Sequence, residues 1–420
     1  MSEHIQRQVL DNGLRLITTT MPDPNGLSIA AVVEAGPRQE RARESGISHF
    51  IEHLVFKGTA GYSSEEINRH IDEMGGFMDA YTDREYTLFQ FRVLHEHFPL
   101  ALDILSELLW EPVFEPEGLE RERSVVAEEI RAHRECSDAV AEDLLVQTLW
   151  GRHAIAKPVL GSPKSLRGLD RLMIKQYHQD RYHPRSVIVS VAGNLDGRET
   201  LASLTESFRS PRIEAPRRPP LSATPRIHGG LRTVERDGEQ VHLLVGAAAP
   251  ADGSGSYLAP RILNVVLGES SGSLLYRRLR EERGLSYDVG SHYCGFRDCG
   301  FFAMYAAVAP SEVEETLKLI RGTITDLREK GIRREDFLRA KRYLRTQLLL
   351  TSDNASEISA ALAMNEAMHR PLQTTDELVK DLELTSYQEV ETVLARYFGA
   401  QSTAVAAVGP LDPESLATTA

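Results

Sequence analysis

The sequence predicts an α+β chain of two homologous domains, each a mainly antiparallel sheet with helices packed on one face. Three observations predict it. The chain has 420 residues, far above the ~150 of a typical single domain. A proline-rich stretch, 210–230, interrupts it almost at the middle. The order of elements before that stretch recurs after it, and each run closes on a Gly-x-Leu-Asp string, Gly193 to Asp196 and Gly409 to Asp412. Two copies of one unit explain this most economically.

The domains are set at 1–209 and 231–420, joined by the linker 210–230. Pro211, Pro216, Pro219, Pro220 and Pro225 remove backbone donors and fix φ, so the linker is neither helix nor central strand. In the first domain, Leu27–Val33 and Thr87–Val93 read as strands, with helical spacing between them over Gly46–Phe56 and Ser64–Met74. Helices follow over Pro99–Trp110, Pro116–Trp150 and Ser165–Arg181, then a buried strand, Ser186–Ala192. In the second, Val241–Ala247 and Phe301–Ala309 read as strands around a helical Tyr257–Glu282. Helices over Glu312–Lys330, Arg334–Thr351, Ala355–His369 and Tyr387–Phe398 lead to a last strand, Thr403–Val408.

Composition narrows the function classes. Hydrophobic residues make up 41% and charged residues 26%, which excludes a disordered or collagen-like chain. A net charge of −13 argues against a general nucleic-acid binder, which needs a basic face. Cys136, Cys294 and Cys299 are too few for a disulfide framework and read as reduced thiols. Residues 1–16 lack a long apolar segment, and no run reaches the ~18 apolar residues of a membrane span. The expectation is a soluble, cytoplasmic protein that needs no metal to fold.

The sharpest local signal is His49-Phe50-Ile51-Glu52-His53. On a helix, His49 and His53 share one face and can bind one metal ion, and Glu52 points toward that side. A neutral imidazole pair suits zinc, and a carboxylate beside it can take a proton from water. H-x-x-E-H is the inverzincin signature. A third ligand is needed, and the helix over Pro116–Trp150 offers Glu120, Glu122, Glu128 and Glu129. Glu122 and Glu129 share a face two turns apart, but the residues alone do not choose among the four.

With these motifs the sequence resembles the insulinase/pitrilysin zinc metallopeptidase family, in particular short members related to the mitochondrial processing peptidase and its bacterial homologues. That family places a ligand glutamate about seventy-six residues beyond the second histidine, which lands on Glu129, and another glutamate seven before it, Glu122. The resemblance implies one zinc ion per chain held by His49, His53 and Glu129. Glu52 would be the general base, and Glu122 a carboxylate that orients a ligand. The segment Gly75 to Glu85 resembles the family's approach to a sheet edge where substrate adds as a strand, with Asp79 and Ala80 as substrate contacts. The family usually has asparagine where this chain has Asp79.

The second half lacks the histidine pair. Its Arg280-Glu281-Glu282-Arg283-Gly284-Leu285-Ser286-Tyr287 resembles the family's arginine and tyrosine, seven apart, that contact the substrate backbone and stabilise the oxyanion. The preceding Gly268 to Ser273 reads as a loop interrupting the helical stretch, without the lysine of a phosphate cradle. The resemblance implies a half clamshell that closes a chamber by dimerising, as a homodimer or with a related zinc-less subunit. It implies an endopeptidase for unfolded, leader or presequence peptides, with neither nucleic acid nor membrane as partner. The rival readings are a non-catalytic structural subunit and a zinc-binding subunit of a heterodimeric processing peptidase.

Overall fold

The computed structural model describes residues 4–21, 26–195, 197–208, 224–253, 255, 257–398, 403–412 and 416. Of the linker prolines only Pro225 falls among them; Pro211, Pro216, Pro219 and Pro220 lie outside the described residues, as does Asp196.

Along the first half run β1 (His4–Val9), β2 (Arg15–Thr20), β3 (Gly26–Val33), α1 (Ile47–Val55), α2 (Ser64–Met74), β4 (Phe77–Thr82), β5 (Thr87–Leu94) and α3 (Phe98–Trp110). Then come α4 (Pro116–Glu135), α5 (Ser137–Trp150), α6 (Pro163–Gly168), α7 (Arg171–Arg181), β6 (Val187–Gly193) and α8 (Gly197–Ser207). The second half has β7 (Gly230–Glu235), β8 (Val241–Ala249), α9 (Leu258–Asn264), β9 (Ser286–Gly295), β10 (Gly300–Val308) and α10 (Val313–Lys330). It continues with α11 (Arg334–Leu350), α12 (Ala355–Ala367), α13 (Thr375–Leu384), α14 (Tyr387–Tyr397) and β11 (Thr403–Gly409). No helix among the described residues is long and apolar enough to cross a membrane.

The two sheets have one topology. The first is ordered β1-β2-β6-β3-β5-β4, the second β7-β11-β8-β10-β9. In each, one pair is parallel, β2 with β6 and β7 with β11, and the others are antiparallel. Removing β1 makes the orders identical. The repeated closing glycine has a physical cause in both copies. Gly193 (φ 135°) and Gly409 (φ 146°) adopt a backbone that other residues rarely reach. A Cβ there would meet Gly26 O at 2.4 Å in one copy and Gln240 O at 2.5 Å in the other.

The compact units are not the two contiguous halves. One comprises Met1–Arg131, Lys157–Leu221 and Leu349–Asp376; the other comprises Ala132–Ala156, Ser222–Leu348 and Glu377–Ala420. The segments holding α5 and α12 have changed places. The principal helical layer does lie on one face of each sheet. On the first sheet it packs Phe50, Leu54, Leu105 and Ile130 against Ile29, Phe89 and Val189. The other face of that sheet is covered by α12, whose Leu362 and Ala363 meet Ala30, Val32, Leu88 and Ile188. Ser28 Oγ also lies 2.9 Å from Ser359 Oγ there, and Arg7 pairs with Glu366 at 2.8 Å. The second sheet is covered in the same way by α5, through Ala141, Leu145 and Leu149 on Leu244, Ala404 and Ala406. Burial on both faces explains why β3 and β8 are apolar nearly throughout, broken only by Ser28 and His242, rather than alternating.

Three expected helices are subdivided. Pro116–Trp150 breaks at Cys136, where a new helix starts and the chain passes to the other unit. Ser165–Arg181 breaks between α6 and α7, where the Asp170 side chain accepts from Met173 N and starts a new helix. Tyr257–Glu282 becomes α9 and two widened turns, Val265–Glu269 and Tyr276–Glu281, separated by the glycine-serine loop.

Candidate metal centre

The centre lies within one unit and is built on α1. Phe50, Ile51 and Leu54 anchor this helix in the core. That leaves His49, Glu52 and His53 on its other side, with His49 and Glu52 buried as well. From α4, Glu129 comes to the same point. His49 Nε2 lies 3.3 Å from His53 Nε2, and Glu129 Oε2 lies 3.4 Å from each of them. These are possible ligand atoms facing one another; Glu129 Oε2 is buried without a hydrogen bond of good geometry. Among the described residues this is the cluster whose side chains can hold a metal ion. A tetrahedral zinc with bonds of about 2.0–2.1 Å keeps its donors about 3.3 Å apart, so the triangle fits that ion.

The surroundings orient these donors. Glu122 Oε2 accepts from His53 Nδ1 at 3.3 Å, which leaves Nε2 free to ligate. Glu122 is itself held by Lys57 Nζ, 2.9 Å from its Oε1. The hydroxyl of Thr82, at the end of β4, donates to Glu52 Oε2 at 2.6 Å. Sequence reasoning missed Lys57 and Thr82. Lys57 stands four residues after His53, a helical spacing that was available; Thr82 is brought in only by sheet pairing.

Burial pushes the Glu52 carboxyl above its ordinary value, with the Thr82 hydroxyl pulling against it. A raised carboxyl suits a general base working near neutral pH. The two imidazoles hold Glu129 well below the usual carboxylate range. For His53, burial pulls downward, but the carboxylates of Glu129, Glu52 and Glu122 outweigh it and raise the imidazole.

The remaining sequence candidates fall in two places. Asp79 and Ala80 sit on β4, the edge strand of the first sheet. The Asp79 carboxylate accepts from Ala80 N at 2.9 Å, occupying a main-chain donor of that strand. Arg280 and Tyr287 belong to the other unit and come together with each other. Arg280 Nη1 donates to Tyr287 O at 3.0 Å, and its guanidinium stacks 4.1 Å from the Tyr287 ring. Tyr287 is 79% exposed, far more than a packing tyrosine.

Comparison with known proteins identifies the family of the chain. Residues 17–163 match the family described as Insulinase (Peptidase family M16), and residues 168–344 match the Peptidase M16 inactive domain. Uncharacterized zinc protease YmxG of Bacillus subtilis is 30% identical over 406 residues, covering 97% of this chain and 98% of its own length. An uncharacterized zinc protease of Mycobacterium tuberculosis is 31% identical over 409 residues, 96% of this chain and 93% of its own. A protease from Helicobacter pylori superposes with a TM-score of 0.89 over 98% of this chain and 100% of its own, at 20% identity. A peptidase M16 inactive domain from Pseudomonas fluorescens gives 0.90 over 97% and 98%, at 18% identity, and these two structures speak for the fold alone. With both family patterns in order along one chain, and relatives of this identity aligned nearly end to end, the chain belongs to the insulinase family of peptidases, M16.

Proposed function

We propose that this chain is a zinc-dependent endopeptidase for unfolded or leader-type peptides. The observation that carries the reading is the triangle of His49, His53 and Glu129 beside a buried Glu52 whose orientation Thr82 fixes. His49, His53 and Glu129 would hold the zinc, which would serve as a Lewis acid toward the scissile carbonyl and water. Glu52 takes the proton of the attacking water on a carboxylate oxygen and delivers it to the nitrogen of the leaving amine. Glu122 keeps the Nδ1 proton of His53 in place throughout. An extended peptide adds to the open edge of β4 by main-chain hydrogen bonds, displacing the Asp79 side chain from Ala80 N. Beside Glu122 lies a groove of about 1720 Å³, with Glu65, Glu66, Asp72, Glu73, Glu115 and Glu117 outnumbering Lys57, Arg69 and Arg121. That balance favours peptides carrying basic side chains.

Arg280 and Tyr287 are the substrate-contact pair in this reading, holding the developing negative charge with the phenol and guanidinium. One chain carries both motif sets, which favours a homodimer in which each copy supplies this pair to its partner's metal cluster. A non-catalytic subunit would have no reason to keep three intact donors and their supporting Glu122 and Lys57.

The test is zinc analysis of purified protein together with cleavage of a peptide library, before and after chelation. About one zinc per chain and chelator-sensitive cleavage are expected; a metal-free protein that cleaves nothing would sink the reading. Tyr287→Phe should lower turnover roughly 10²-fold, as for loss of an oxyanion donor. Mixing it with Glu52→Gln should restore part of the activity if sites are shared between copies, and none if they are not. Thr82→Val removes the donor to Glu52, a charge-assisted bond whose loss costs roughly tenfold or more in kcat. Because that bond pulls Glu52 downward, its loss should move the acidic limb of the rate profile to higher pH. An unchanged profile would show that Thr82 does not act on the base.

A further inference from the structure

The start of α1 poses a problem of capping. The helix has nine residues, and its N-cap is Gly46, which has no side chain to accept from the first turn. Gly46 cannot be replaced by a capping residue. Its φ is 88°, and a Cβ there would meet Leu160 O at 2.8 Å and Gly161 Cα at 3.1 Å. The cap comes instead from six residues upstream. Glu40 Oε2 accepts from Gly46 N and Oε1 from Ser48 N, both at 2.9 Å.

This carboxylate is 4% exposed, an expensive place for such a group unless it is fully hydrogen-bonded. The segment that carries it is itself pinned. Lys157 Nζ donates to Pro37 O and Glu40 O, and Arg181 Nη2 donates to Gln39 O at 3.1 Å. Arg38 forms a buried ion pair with Glu85, 2.5 Å apart, and its backbone N–H bonds Arg84 O. Carboxylate, segment and helix start thus form one rigid piece. His49 follows Ser48 directly, so a shift of the first turn passes straight to His49 Nε2 and the triangle with sides of 3.3 and 3.4 Å. A metal site tolerates only about 0.2 Å of error in donor placement.

We infer that Glu40 is a positioning residue for the metal centre, holding the first turn of α1 so that His49 stays in register with His53 and Glu129. This rests on the metallopeptidase reading above and extends it to a residue that touches neither metal nor substrate. An ordinary cap would stabilise the helix alone; a buried bidentate one fixes where it begins.

The test measures zinc affinity by competition with a chromophoric chelator, on full-length protein at a temperature where far-UV circular dichroism shows every variant folded. Glu40→Ala should bind zinc about tenfold or more weakly, within the range for residues that orient ligands. Glu40→Gln, whose single amide oxygen can satisfy only one of the two N–H groups, should fall between it and wild type. Ile188→Ala is the comparator, because Ile188 packs on the sheet face covered by α12. It should lose stability and keep wild-type affinity. Wild-type affinity in both Glu40 variants would overturn the inference, as would an equal loss in Ile188→Ala. If Glu40→Ala does not fold, unchanged affinity in Glu40→Gln overturns it alone. Wild-type protein that takes up no zinc overturns the metallopeptidase reading itself, a distinct result.

Discussion

Glu52→Gln is expected to abolish peptide cleavage while leaving zinc uptake unchanged. The substitution is nearly isosteric, and the amide oxygen can still accept from Thr82 Oγ1, so the local packing survives. What is lost is the ability to take a proton from water and return it to the leaving amine. General base catalysis contributes on the order of 10²–10⁴-fold, and kcat should fall by that amount. The three donors that converge within 4.8 Å do not include Glu52, so metal content should stay at the wild-type value. Peptide turnover and zinc analysis on the same preparation check both halves. Wild-type turnover would remove Glu52 from the mechanism, and lost zinc would make it part of the metal site.

Leu145→Ala should destabilise the protein by about 2–5 kcal/mol, the range for emptying a well-packed leucine site. Leu145 is fully buried on α5, and its side chain fills the space above Gly246, where a Cβ would come within 2.8 Å of Leu145 Cδ1. The location of the damage is the more informative result. By sequence Leu145 belongs to the histidine-bearing half, yet it covers the sheet of the other half. Hydrogen exchange should speed up in β8 and β11 and remain slow in β3 and β6. Leu362→Ala, on α12, should do the reverse. Loss of protection confined to the half that carries the substitution would contradict the exchange of these helices.

These two results sit on opposite sides of what the sequence made legible. The helix with His49 and His53 was readable because its apolar residues repeat at helical spacing around the motif. The twofold repeat was readable because Gly193 and Gly409 answer the same steric demand, a neighbouring carbonyl within 2.5 Å of any Cβ. The third donor was not readable from the residues: four glutamates on one amphipathic stretch look alike, and only the family spacing singled out Glu129. The edge strands β1, β7 and β9 went unread as strands because each lies at a rim and lacks a continuous apolar run, and the sheet edge at β4 was reached only through the family resemblance. Thr82 therefore went unnoticed too. The destination of α5 and α12 was unreadable for a different reason. A helix with apolar residues records that it is to be buried, not which sheet buries it, and the sequence reads straight through Cys136, where the structure starts α5.

The exchanged helices also bear on how the protein is made. The first sheet is complete in its strands once β6 has left the ribosome, but its second face waits for α12, some 160 residues later. At about 5–20 residues per second this interval lasts roughly ten to thirty seconds. Until then the helix that covers Ala30, Val32, Leu88 and Ile188 in the folded protein does not exist. The second unit has the opposite schedule, since α5 is synthesised before any strand of the sheet it will cover. The first unit thus cannot cover the second face of its sheet before α12 is made, and that interval is when a holding chaperone would find apolar surface to bind.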